Sequence, residues 1–148
     1  MAENSSIGNS FSDDPKNIID NSVISGKKVV IVEDDVFLGK LLAKHLQQSG
    51  MKVFLIDRGD GAQEIIKSDV PDLLVLDIFL PGVNGLDLLE SLRKDPVTKN
   101  LAVLIVSNTD QVQDRERAKS LNASFLTKAL VTPMSIVEHV KKMFLDSH

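Results

Sequence analysis

Four kinds of side chain in this sequence are spaced so that phosphorus chemistry could be done with them. Glu33, Asp34 and Asp35 follow the apolar run at 29–32, and Asp77 ends the run at 73–76 within the stretch LLVLDIFLPGVNG. Ser107 closes the run at 101–106, and Lys128 follows the weaker pair 125–126. Carboxylates gathered in one place repel one another unless a cation lies between them. Hard oxygen ligands without cysteine or clustered histidine suit Mg2+ (or Mn2+), which takes one or two carboxylates, waters and phosphate oxygens. A carboxylate is also a competent nucleophile towards phosphorus. In such an arrangement Asp77 attacks, Asp34 holds the metal, and Glu33 holds it directly or through water. The Lys128 ammonium pairs with one phosphoryl oxygen and the Ser107 hydroxyl with another.

These groups converge only if the elements carrying them place every strand end on one rim. The apolar runs at 29–32, 53–56, 73–76, 101–106 and 125–126 are continuous rather than alternating, as in strands buried on both faces of a parallel sheet. Helical patterns lie between them. Leu38, Leu41, Leu42 and Leu46 form one stripe; Ile65 and Ile66 mark a short helix, with Asp60 and Gln63 spaced like a capping box. Leu86, Leu89 and Leu92 form a third, opened by Asn84 and closed before Asp95-Pro96. The polar segment 111–121 makes an exposed fourth, and Thr132-Pro133 starts a fifth through Ile136, Val140 and Met143 or Phe144. The expectation is an α/β fold: a doubly wound, five-stranded parallel sheet of order 2-1-3-4-5 with five helices, in three layers. That order puts strands one and three side by side, with the ligand crevice between their ends.

Composition sets limits on function. The chain has 148 residues, 43% hydrophobic and 26% charged, and no cysteine, which excludes disulfides and thiolate sites. No window reaches the ~18 apolar residues of a membrane span, and the start MAENSSIGNS does not read as a signal peptide. A net charge of −4 argues against a nucleic-acid partner. These features describe a cytoplasmic protein that binds neither membrane nor nucleic acid. Residues 1–26 are rich in Ser, Asn and Asp and are expected to be a flexible tail, with the folded domain over 27–146; a short docked helix near Ile18 to Ile24 is the alternative. Among the histidines, His45 reads as a packing residue at the edge of the first stripe and His139 as solvent-facing.

The stretches VVIVEDD, DLLVLDIFLPGVNG, VLIVSN and SFLTKA, in that order and each at a strand end, resemble the four signatures of the receiver domain of two-component response regulators. That resemblance, over residues 27 to about 146, implies a flavodoxin-like fold. It also implies phosphoryl transfer to Asp77 from a histidine kinase or phosphotransfer protein, with Mg2+ held by Glu33, Asp34, Asp77 and the Phe79 backbone carbonyl. It further implies a switch in which Ser107 moves onto the phosphoryl group, Phe125 turns inward, and the face of helix 4, strand 5 and helix 5 changes its downstream protein partner. The chain departs from the pattern at four places. Lys128 is followed by Ala129 rather than a proline in a cis bond, a geometry that costs a non-proline residue about 3 kcal/mol. Ser107 stands for the commoner threonine, Asn108 for a small residue, and Phe125 lacks a tyrosine hydroxyl. Phe79 is bulky enough to shield an acyl phosphate, which predicts slow self-hydrolysis.

Two other classes fit some of these residues. A pseudo-receiver would keep the fold as a binding module without the switch, as the Lys128-Ala129 change suggests. An aspartyl-nucleophile phosphatase of the haloacid-dehalogenase type would use Asp77, Ser107 and Lys128. That family, however, places its nucleophile after its first strand with a second acid two residues on, where this chain has Phe79. The favoured expectation is a switch, not a turnover enzyme. Because the sequence stops soon after the fifth helix, its output is expected to run through another protein.

Overall fold

Strands that are hydrophobic on both faces need helices on both faces, and the chain supplies them. The computed structural model describes residues 19–147. Five strands form a parallel sheet in the order β2-β1-β3-β4-β5: β1 is Lys28–Val32, β2 Lys52–Ile56, β3 Leu73–Leu76, β4 Ala102–Ser107 and β5 Ser124–Thr127. The helices α1 (Val36–Gln48), α2 (Ala62–Ser68), α3 (Gly85–Lys94), α4 (Val112–Ser120) and α5 (Pro133–Asp146) alternate with the strands. One half of the core lies under α2, α3 and α4, and the other under α1 and α5. A two-residue hairpin, Phe79–Leu80 against Val83–Asn84, interrupts the path from β3 to α3.

The register of the central strands fixes where the acids emerge. Val32 lies opposite Leu76, and Leu76 opposite Ile105. The residues that follow, Glu33 and Asp77, therefore leave the sheet side by side. Their backbones stay tied to the ladder: the Glu33 N–H donates to Ile56 O at 2.9 Å, and the Asp77 N–H to Val32 O at 3.1 Å.

Side-chain caps start three of the helices, each by filling an orphan N–H of the first turn. Asp35 accepts from Leu38 N at 3.1 Å, Asn84 from Leu86 N at 2.8 Å, and Thr132 forms a capping box with Ser135. The capping box expected from Asp60 and Gln63 is not there. Gly61, at φ 78°, occupies the cap position of α2 without a side-chain bond, because a left-handed entry excludes the geometry that such a box needs.

Attachment differs sharply between helices. The helix α3 buries Leu86, Leu88, Leu89 and Leu92, whereas α4 buries only Ala118 of its own residues. Polar clamps hold α4 instead. Arg117 reaches Asp87 at 2.7 Å and Glu90 at 2.6 Å on α3, while Arg93 donates to Leu121 O at 2.7 Å, just past the α4 C-terminus.

The folded part begins before the boundary expected at residue 27. Asn21–Val23 form a 3-10 turn capped by Asp20, Ile24 is 0% exposed in the core half under α1 and α5, and Lys141 Nζ donates to Ile19 O at 3.3 Å. Composition favoured a tail over the docked alternative near Ile18 to Ile24, yet one isoleucine and a few carbonyls, presented to α5, are enough to dock a short segment. Of the tail expected over residues 1–26, residues 1–18 lie outside the described residues. Among the described residues no helix is long and apolar enough to cross a membrane.

The burial of Ile24 sets a test. Replacing a fully buried isoleucine with alanine removes its transfer free energy and leaves a cavity, a loss of about 2–4 kcal/mol. Urea unfolding of Ile24→Ala should show that loss at an unchanged slope; a loss below about 0.5 kcal/mol would mean the segment is not part of the cooperative unit.

Candidate functional site

At the carboxyl ends of β1, β3 and β5 a lysine lies between two buried acids. Lys128 Nζ is 2.8 Å from Glu33 Oε1 and 2.9 Å from Asp77 Oδ2. Glu33 and Asp77 are only 6% and 5% exposed. Each acid has a second anchor: Glu33 Oε2 accepts the Asp35 N–H at 3.1 Å, and Asp77 Oδ1 faces the Phe79 N–H at 3.4 Å. Burial pushes the Glu33 carboxyl up from its usual range, and the hydrogen bond from Lys128 offsets only part of that. Burial works against the Lys128 ammonium too, but its bonds to Glu33 and Asp77 together outweigh it and hold the lysine above its usual value.

The donor set fits a hard divalent cation. One oxygen from each of Glu33, Asp34 and Asp77 lies within 4.8 Å of the others, with Asp34 exposed and the other two buried. Such an all-oxygen group, open to water on one side, suits Mg2+, which keeps several waters. A hollow of about 420 Å3 lies elsewhere, at the amino ends of β3 and β4 between Val70, Leu101 and Phe144. Charge and convergence, not volume, mark the functional end of the sheet.

The remaining expected residues divide into neighbours and outliers. The Ser107 hydroxyl ends β4 fully buried, with no hydrogen-bond partner among the described residues. It is an orphan donor at the rim where a ligand would need one. The Phe79 main chain adjoins Asp77, while its side chain is 57% exposed at the mouth. Phe125 is outside this group. Its ring packs into the core half under α4, with the Arg115 guanidinium 5.5 Å from the ring centroid and a bond from Arg115 to Thr127 at 3.3 Å. Asp35 caps α1 and does not join the acidic group. No cis peptide bond occurs among the described residues, so Lys128-Ala129 is trans. Of the histidines, His45 is half-buried with Nδ1 2.9 Å from Leu41 O. His139, expected to face solvent, has its Nε2 buried without a partner, and burial lowers its pKa.

Two residues matter to which the sequence alone gave no place in the site. At Gly85 a Cβ would come within 2.1 Å of Asp77 O, far inside contact distance, so only glycine lets α3 start against the backbone of the central acid. The one available signal was the Asn84-Gly85 pair, a cap followed by a poor helix former. The second is Asn108, whose Oδ1 accepts the Ala129 N–H at 2.7 Å. Its sign in the sequence was the paired departure at 108 and 129.

A three-layer α/β sandwich with an acid-lined crevice where strand order reverses, and a lysine facing it from the edge strand, defines a class of ligand-responsive domains rather than a single activity. The chain belongs to the response regulator receiver domain family, whose model matches residues 29–141. It is 35% identical over 117 residues to the phosphate regulon transcriptional regulatory protein PhoB of Rhizobium meliloti, covering 78% of this chain and 51% of that protein. It is 32% identical over 111 residues to the transcriptional regulatory protein CusR of Escherichia coli, covering 75% of this chain and 47% of that one. The chain thus spans about half the length of these curated relatives. Among solved structures it resembles the BeF3-activated N-terminal receiver domain of RstA from Klebsiella pneumoniae, with a TM-score of 0.71 and 30% identity, over 79% of this chain and 97% of that one. It also resembles the non-phosphorylated HemR receiver domain of Leptospira biflexa, with a TM-score of 0.73 and 28% identity, over 80% and 94%.

The site yields two predictions. Gly85→Ala should lower stability by about 1–3 kcal/mol by forcing the β3–α3 junction apart, and should weaken divalent-ion binding; a variant as stable as the parent would refute the contact. The second concerns Glu33. Because its folded pKa is raised, its ionised form opposes folding above the unfolded value of 4.5. In EDTA at neutral pH, Glu33→Gln should therefore melt above the parent. That advantage should shrink as the pH falls through the raised range towards 4.5, and excess Mg2+ should reverse the order. A Glu33→Gln protein that melts below the parent in EDTA would contradict it.

Proposed function

We propose that the chain is a phosphorylatable switch in which Asp77 accepts a phosphoryl group from the phosphohistidine of a histidine kinase or phosphotransfer protein. The observation that carries this reading is the bridge from Lys128 to both Glu33 and Asp77, which gathers a nucleophile, an acid and a cation at one strand edge. In the reaction an Asp77 carboxylate oxygen forms a bond to phosphorus as the P–N bond of the donor breaks. The electron pair returns to the imidazole nitrogen, which then takes up a proton. A Mg2+ ion held by Glu33, Asp34, Asp77 and the Phe79 carbonyl oxygen would supply positive charge opposite the phosphoryl oxygens.

The protein's own groups do the rest. The backbone anchors of Asp77 and the close approach of Gly85 aim the attacking oxygen rigidly, which in-line displacement requires. Lys128 already sits 2.9 Å from one Asp77 oxygen and moves little to follow the negative charge onto the phosphoryl group. The orphan Ser107 hydroxyl gains its partner there. Movement at Ser107 is passed along the paired strands, Ser107 opposite Thr127 and Ile105 opposite Phe125, to the α4–β5–α5 face that meets a downstream protein. The exposed Phe79 stands two residues after Asp77, where a turnover phosphatase of the aspartyl type carries a general acid, and this favours reading the chain as a switch. Its place is the cytoplasm, where such kinases offer their phosphohistidine.

Intact-mass measurement after incubation with acetyl phosphate and Mg2+ tests this. The parent should gain about 80 Da; Asp77→Asn and the parent in EDTA should gain none. A parent that stays unmodified, and whose melting temperature does not change with beryllofluoride and Mg2+, would instead be a receiver fold retained as a binding module.

A further inference from the structure

Two departures from the family pattern turn out to be one interaction. Asn108 follows Ser107 at the end of β4, and Ala129 follows Lys128 at the end of β5. The Asn108 side-chain oxygen accepts the Ala129 N–H at 2.7 Å. The bond therefore joins the residues immediately after the hydroxyl and the ammonium to which the proposed function gives the phosphoryl oxygens. Proline at 129 could not make it, having no N–H, and a small residue at 108 could not reach across. With the Lys128-Ala129 bond trans, ring geometry does not hold the loop after the lysine. What ties it to the neighbouring strand is this hydrogen bond, supplemented by the single 3-10 turn Lys128–Leu130.

We infer that Asn108 is a positioning residue for phosphoryl uptake, setting the separation of the Ser107 hydroxyl and the Lys128 ammonium through its bond to Ala129. This deepens the reading of Asp77 as acceptor and rests on it. Neither Asn108 nor Ala129 bonds the cation ligands Glu33, Asp34 and Asp77; the clamp reaches them only through Lys128, whose own side chain bonds Glu33 and Asp77, so its loss should act far more on the anion than on the metal. That separation distinguishes positioning from a general structural role, since a loosened fold would weaken both.

The test is a double-mutant cycle on the full chain, with acetyl phosphate as donor. Asn108→Ala should lower the second-order rate of mass gain about fivefold to tenfold, the worth of one polar hydrogen bond, while Mg2+ affinity by calorimetry stays within about twofold. Ala129→Pro deletes the donor of the same bond. It should show a comparable loss, and the double variant should fall no further than either single one, because only one interaction is there to lose. Losses that multiply, an unchanged rate in Asn108→Ala, or a parallel fall in Mg2+ affinity would each overturn the inference while leaving Asp77 phosphorylation standing. If Ala129→Pro does not fold, the rate and metal affinity of Asn108→Ala decide the matter alone. A parent chain that gains no mass would defeat the proposed function and this inference together.

Discussion

The rest of the molecule depends on how two carboxylates can be kept almost out of water beside each other. Glu33 loses hydration and faces the Asp77 carboxylate, both of which raise its pKa, and the Lys128 ammonium between the two acids compensates only in part. A buried triad of this kind is poor evidence for stability. It is better understood as a site that folding holds ready for ligands. A bound cation would relieve the unfavourable charge on Glu33, and a bound anion would give the orphan hydroxyl of Ser107 its partner. Binding free energy would then come partly from costs that folding itself imposes on the site.

Holding such a site requires a scaffold that does not give way. The central strands meet that need with side chains buried on both faces and with a register that delivers Glu33 and Asp77 at the same level. Gly85 tightens the arrangement from below, since α3 starts directly against the Asp77 carbonyl. The contrast with the β4–β5 side is plain. There Asn108 and Ala129 share one hydrogen bond, Phe125 meets the Arg115 guanidinium, and the covering helix has little core burial. Rigid nucleophile and yielding surroundings are what a switch needs from one fold.

Much of this was legible in the residues themselves. Continuous apolar runs identify the five strands, and the strand-end positions of Glu33, Asp34, Asp77, Ser107 and Lys128 follow from the parallel sheet that those runs require. What escaped notice depends on single contacts with no repeating pattern. The docking of Ile24, the left-handed Gly61 at the start of α2, the buried ring nitrogen of His139 and the bond from Asn108 to Ala129 each involve a partner that periodicity does not reveal. Gly85 shows the same limit, because its role lies in an atom it lacks. The family signatures carried the phosphoryl chemistry further than the residue types could. Acids, a hydroxyl and a lysine at one rim are equally consistent with a phosphatase until strand order and position 79 are weighed.

The thin attachment of α4 has a consequence for sequence change over time. A helix held by one buried alanine, two arginines and the bonds of Asp114 and Ser120 leaves Val112, Gln113, Glu116 and Lys119 with few structural duties. Those positions are free to drift at little thermodynamic cost. Substitutions there can reshape the outer surface without touching Glu33, Asp77 or Lys128. Change on that surface is thereby uncoupled from change at the acidic rim.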